Sequence, residues 1–197
     1  QHYKSYDKLV IPIVFHVLHQ YGKERLSMAQ IQKGIEQLNK DYSAQNSDLQ
    51  QTIAEFYGII GTVDVEFRLA QIDPNGNPTT GVVYYDTELT YSASNNLKSI
   101  ITNWNPTSYL NIWTVASIEG NAAAWSHYPG ISSSLDGVVS IYTYVYSSHT
   151  LAHEIGHYLN LRHPWGNSND PGLASNCEDD DLVEDTPNTI GSKQTCI

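Results

Sequence analysis

The chain has 197 residues, 40% of them hydrophobic and 16% charged, a balance that suits one sizeable globular domain or two lobes sharing a cleft and excludes a disordered chain. Ten Lys and Arg against 21 Asp and Glu give a net charge of −11, which argues against nucleic-acid binding because phosphate neutralisation needs basic clusters. No apolar run reaches the ~18 residues of a membrane span, and the opening QHYKSYDKLV has no signal-peptide core, so the chain is cytosolic or a leader has been removed.

Residues 8–22, KLVIPIVFHVLHQYG, are rich in Val and Ile and predict a long strand. Residues 26–42 predict an amphipathic helix: Ser27 and Gln30 have capping-box spacing, and Ile31, Ile35 and Leu38 recur at the helical period. A shorter helix is predicted over 48–58. From 63 to 86 an alternating strand turns at Asp73-Pro74-Asn75-Gly76 and resumes as strand or loop. Residues 95–104 read as helix, 109–116 as strand, and 121–130 and 135–145 as two further strands. Beyond 164, Pro, Gly, Asn and Asp dominate and no period persists. The fold class this predicts is α+β, a mixed β-sheet with helices before residue 164 and an irregular acidic segment after it.

The segment SHTLAHEIGHYLNLRHPWG, residues 148–166, sets three histidines and a glutamate within eleven positions, 153–163. Helical residues four apart share a face, so His153 and His157 can point at one centre, and two imidazoles one turn apart suit zinc. Glu154 lies about 100° round the helix, where its carboxylate can approach a metal-bound water without displacing it. Leu151, Ile155 and Leu159 are spaced to pack inward, and Gly156 implies that something approaches that face closely. His163 is six residues past His157, too far round if the helix continued. The chain must turn, and Asn160, which tolerates a left-handed backbone, is where we place the reversal. Three histidines and one open position describe catalytic zinc better than structural zinc. HExxH alone is a moderate signal; with the turn residue and the third histidine it becomes much more specific. His2, His16, His19, His127 and His149 are not assigned to zinc, and Trp165 reads as a packing residue that anchors the chain after the third ligand.

HEIGHYLNLRH resembles the extended zinc-binding motif of the metzincin metallopeptidases, HExxHxxGxxH, and within them the pappalysin family. IPIVFHVLH, LDGVVSIYTYV and DDDLVEDTPNT resemble pappalysin segments in matching order. The resemblance implies a secreted zinc endopeptidase made as a zymogen. Residues 1–163 would form an upper lobe with a twisted mixed sheet, a backing helix and the active-site helix, and 164–197 the start of an irregular lower lobe. Asn160 stands where the family has glycine. The family also places a methionine turn beneath the zinc, whereas the only methionine here is Met28, so the resemblance implies a truncated lower lobe: a truncation, a self-cleavage product or one piece of a nicked protein.

In the expected mechanism zinc polarises the scissile carbonyl, and Glu154 takes a proton from zinc-bound water and passes it to the leaving amine. The stretch NAAAWSHYPG resembles the family's upper-rim strand, along which a peptide would lie in extended form; Ala122, Ala123 and Ala124 would let it come close. The six carboxylates from Glu178 to Asp185 read either as a solvated loop or as a calcium site, and the resemblance favours calcium, with Asp185 and Thr186 as ligands. Cys177 and Cys196 either bond each other or, by resemblance, pair with cysteines farther downstream; disulfide chemistry supports export. The expected cofactors are Zn2+ and Ca2+. The expected partners are a protein or peptide substrate and the missing C-terminal piece, with no nucleic acid and no membrane. Two alternatives stand beside this reading: a zinc- and calcium-binding module without activity, and a zinc hydrolase acting on a non-peptide amide.

Overall fold

The computed structural model describes residues 8–191. Its centre is the strand β1 (Leu9–His19), whose side chains alternate between two cores. Ile13, Phe15 and Val17 point to one face of the sheet and Leu18 to the other, as the two-residue period of a strand requires. β2 (Val65–Leu69) pairs with the first half of β1 and β3 (Val82–Asp86) with the second, both in parallel. On the other side β1 pairs in parallel with β4 (Leu110–Val115), and β4 in turn with β6 (Val138–Ile141). The order is completed by β5 (Ala124–Ser126), antiparallel to β6 and at the sheet's edge. The sheet is therefore mixed, and the expectation of an α+β fold holds.

One face carries α1 (Met28–Tyr42), α4 (Tyr144–Ser147) and α5 (Thr150–Tyr158). α1 begins where its capping box places it, with the Gln30 N–H donating to Ser27 Oγ and the Gln30 side chain accepting from the Ser27 N–H at 2.9 Å. It buries Ile31, Ile35 and Leu38 against the sheet; full burial of such a side chain stabilises by about 1.5–3 kcal/mol. Gly34 has a steric reason, since a Cβ there would lie 2.5 Å from the Val145 carbonyl oxygen. That close approach seats α1 on α4, which leads directly into α5.

Several predicted elements are shorter than their patterns. Residues 48–58 give only a 3-10 turn (Leu49–Gln51) and one helical turn, α2 (Ala54–Tyr57), and neither buries a residue. Without a core to pack against, an amphipathic pattern of this length cannot hold a helix. Helix 95–104 shrinks to α3 (Leu97–Ile100), because Asn111 intercepts the chain: its side chain accepts from the Trp104 N–H at 2.8 Å and donates to the Trp104 carbonyl at 2.7 Å. Of 121–130 only 124–126 is strand, and 135–145 divides into β6 and the start of α4. The turn at Asp73 is present, its carboxylate accepting from the Asn75 and Asn77 N–H groups. The strands flanking that turn pair with β1 rather than with each other. From 164 to 191 the described residues contain one 3-10 turn, Ala174–Cys177. Among the described residues no helix is long and apolar enough to cross a membrane.

The second face covers His16, which is fully buried, stacks on Trp113 and shares a hydrogen bond of 2.9 Å with Asn111. Burial lowers its pKa from 6.5 to about 4, the Asn111 bond opposing the shift only in part. The folded state thus binds fewer protons here than the unfolded state, so stability is present above pH 6.5 and lost as pH falls towards 4. We expect His16 to account for about 3 kcal/mol of acid destabilisation. Denaturant melts of the parent and His16→Gln between pH 7 and 4 check this: the variant should show a flatter pH dependence.

Candidate metal centre

α5 carries the site because its two sides are sorted by burial. Leu151 and Ile155 pack into the core, leaving His153 and His157 at the other side of the helix. Its first turn is pinned by His149, whose two ring nitrogens meet Asp41 at 2.9 Å and Asp48 at 3.1 Å. The hydrogen bond to Asp41 is the largest influence raising the His149 pKa. The pair of carboxylates offsets a positive ring at the helix end that least favours one.

The far end closes as a Schellman motif. Asn160 is left-handed, with φ of 79°, as its chemistry predicts. The Leu161 N–H bonds the Gly156 carbonyl at 2.8 Å and the Asn160 N–H the His157 carbonyl at 2.9 Å. Leu161 folds back over Gly156, where an added Cβ would meet it at 3.7 Å, an ordinary contact. Among the described residues no protein group approaches Gly156 closely enough to require glycine, so none of them makes the close approach expected from the sequence. The reversal delivers His163 to the other two histidines.

Three Nε2 atoms then meet: His157 to His153 at 3.0 Å, His157 to His163 at 3.0 Å, and His163 to His153 at 3.2 Å. The His157 Nδ1 lies 2.8 Å from the Leu161 carbonyl. A carbonyl only accepts, so the proton sits on Nδ1 and the Nε2 lone pair faces the centre. Burial also lowers the pKa of His153 and His163, with the neighbouring histidines adding to the effect, which favours the neutral form a metal requires. Tetrahedral zinc at about 2.0–2.1 Å sets its nitrogens ~3.3–3.4 Å apart. The triangle need open by only a few tenths of an ångström, so the donor set fits zinc. Trp165 stacks on His163 at 4.8 Å and 16°, the anchoring role expected of it. The Tyr128 ring stands edge-on to His157 at 5.5 Å.

Glu154, one residue after the first histidine, is 9% exposed and turned under β5, where its carboxylate accepts from Ser126 Oγ at 3.0 Å. Burial raises its pKa; the Ser126 bond and the positive charge of Lys98 are among the opposing influences. Lys98 is itself buried, its pKa lowered by desolvation to about 8. Beside the histidines an open cleft of about 500 Å³ runs between the end of α1 and α5, with Tyr42, Val63, Leu161 and Trp165 among its walls.

Other predicted residues lie apart. Ala124 begins the edge strand, Ala123 precedes it, and Ala122 lines a separate recess with Trp125 and His127. Asp185 is exposed, and Thr186 is half-buried with its N–H on the Val183 carbonyl. Among the described residues, only the three histidines form a cluster of metal-ligating side chains within reach of one another. Cys177 is exposed and has no disulfide partner among the described residues, and Cys196, like His2, lies outside them. Ser126 and Lys98 were missed. Ser126 had a signal, being two residues past Ala124 and hence on the same side of a predicted strand; Lys98 had none beyond its place in a predicted helix.

Residues 93–196 match the peptidase family described as pregnancy-associated plasma protein-A (Peptidase M43). Mature mirolysin of Tannerella forsythia, solved in complex with a cleaved peptide, is 32% identical over 92% of this chain and 72% of its own, with a TM-score of 0.81. The chain belongs to this pappalysin family of metzincin metallopeptidases. A Glu-to-Ala mutant of T. forsythia promirolysin gives 31% identity over 92% of this chain and 64% of its own, at a TM-score of 0.81. Mirolysin in complex with compound 9 gives 31% over 93% and 73%, at 0.79. The chain thus spans 64–73% of the length of these relatives. No curated protein matches it significantly. Membership makes the protein a metallo-endopeptidase and implies zinc, and the sheet with its helices is the metzincin fold.

The Schellman reversal predicts a ranking at one position. Asn160→Gly should leave stability unchanged or slightly raised, whereas Asn160→Val, β-branched at positive φ, should cost on the order of 1–2 kcal/mol. Urea denaturation of the metal-free chain checks it.

Proposed function

We propose that the chain hydrolyses peptide bonds in an extended protein or peptide, with His153, His157 and His163 holding zinc and Glu154 acting as general base and then general acid. The observation that carries this is the convergence of three Nε2 atoms beside one buried carboxylate. Zinc, when bound, would polarise the scissile carbonyl and acidify water at its open position. The chain's own part is proton handling. Glu154, with its proton affinity raised by burial, accepts the proton of the attacking water and returns it to the leaving amine. β5, the last strand of the sheet, offers its outer edge to a substrate backbone, with Ala124 at its start and Ala122 and Ala123 on the approach. Mirolysin, 32% identical, was captured with a cleaved peptide, which supports this class of substrate.

We further infer an exported protein made as a zymogen. The promirolysin relative and the family support that reading. A calcium ion in the segment after His163 is part of the same proposal. Its support is the oxygen-rich run from Glu178 to Asp185 and three buried side-chain oxygens without a hydrogen-bond partner, those of Asn176, Asp180 and Thr189. Such oxygens suit a hard cation, and a bound ion would tie down a stretch with little regular structure. Asp185, which ends that run, and Thr186 after it remain the proposed ligands.

Glu154→Gln should lower kcat on a fluorogenic peptide by ~10²–10⁴ while zinc, counted by atomic absorption, stays near one per chain. A parent chain that keeps zinc but never cleaves would favour the binding-module reading instead. Calcium should raise the melting temperature of the parent, and Asp180→Asn and Asp185→Asn should each reduce that rise; melts that ignore calcium would remove the ion from the account.

A further inference from the structure

Glu154 and Ser126 meet across 28 positions of sequence. Ser126 ends the edge strand β5, and its Oγ lies 3.0 Å from Glu154 Oε2 and 2.8 Å from the main-chain carbonyl oxygen of the same residue. A hydroxyl has one hydrogen and two lone pairs, so it donates to one of these acceptors at a time. While the carboxylate is ionised, Oε2 is the stronger acceptor and takes the hydrogen. The one hydroxyl thus lies within hydrogen-bond distance of both the side chain and the main chain of Glu154. Oε1, by contrast, has no hydrogen-bond partner among the described residues.

We propose that Ser126 is the positioning residue of Glu154, holding Oε2 so that Oε1 is left as the proton-carrying oxygen. This rests on the reading of Glu154 as the general base.

Ser126 needs an anchor of its own, because β5 pairs with β6 through only three residue pairs. Lys98 supplies it. The lysine is 1% exposed, and its Nζ donates to the carbonyls of Leu135 at 2.9 Å and Gly137 at 2.6 Å. The same Nζ lies 3.3 Å from Nδ1 of His127, the residue after Ser126, and over the Trp113 ring. One ammonium thus ties the end of the edge strand to the segment entering β6. Among the described residues no carboxylate forms an ion pair with Lys98, so its bonds are spent on the backbone and on His127. The tether sets where Ser126 stands relative to α5.

The test compares Ser126→Ala, Ser126→Thr and Glu154→Gln in the full chain. Ser126→Ala should lower kcat roughly tenfold, with KM and zinc stoichiometry unchanged, and Ser126→Thr, which keeps the hydroxyl, should recover most of it. A second readout needs no turnover. The carboxylate stretch of Glu154, isolated by subtracting the infrared spectrum of Glu154→Gln from each of the others, should move in Ser126→Ala and return in Ser126→Thr. An unmoved stretch, an unchanged kcat or a rise in KM alone would overturn the role of Ser126. If Glu154→Gln were as active as the parent, the reading of Glu154 would fail first, and the two failures are told apart by that variant.

Discussion

The site depends on one backbone event, the left-handed turn at Asn160. A continuous helix would carry His163 about 9 Å along the axis from His157 and 240° round it, out of reach of any shared ion. The reversal instead folds the chain over the last turn of α5, held by the Leu161 and Asn160 N–H groups on the carbonyls of Gly156 and His157. Its products feed the metal centre directly. The Leu161 carbonyl fixes the tautomer of His157, and two residues beyond Leu161 His163 completes the triangle, with Trp165 stacked on its ring. Ligand geometry, tautomer and ring orientation thus follow from the backbone of a single residue.

The second constraint is where the sheet ends. Five strands run parallel, and their hydrophobic residues are spent on two cores. The antiparallel β5 stands at the edge with half-buried side chains, above α5. This arrangement gives Glu154 a low-dielectric setting on one side and the metal centre's neighbourhood on the other. The buried cation Lys98 behind the edge strand opposes part of the desolvation that raises the carboxyl's pKa. At the opposite end, His149 between Asp41 and Asp48 fastens α5 to the end of α1, so the helix bearing the first two histidines is held at both termini.

Much of this was legible in the residues. The three histidines, the glutamate and the turning asparagine form a local pattern, and local patterns are what helical spacing and backbone preference can decode. β1 and α1 were equally clear, because β1 buries both faces from Ile13 to His19 and α1 buries one face at the helical period. Elements whose length is set by distant partners were not. Residues 48–58 have helical periodicity but no core to meet, and the 95–104 helix is cut short by Asn111, which follows it in sequence. Ser126 and Lys98 reach the site across 28 and more positions, and no spacing rule connects them to Glu154. The pairing of β2 and β3 one after the other along the same edge of β1 is likewise a matter of tertiary register rather than local propensity.

Zinc X-ray absorption on the metal-loaded chain tests the central claim most directly. The convergence of the three Nε2 atoms predicts a shell of light scatterers at about 2.0–2.1 Å with the multiple-scattering signature of three imidazoles and one further oxygen. A sulfur shell at about 2.3 Å, or fewer than three imidazoles, would mean that the Asn160 reversal does not build the site described.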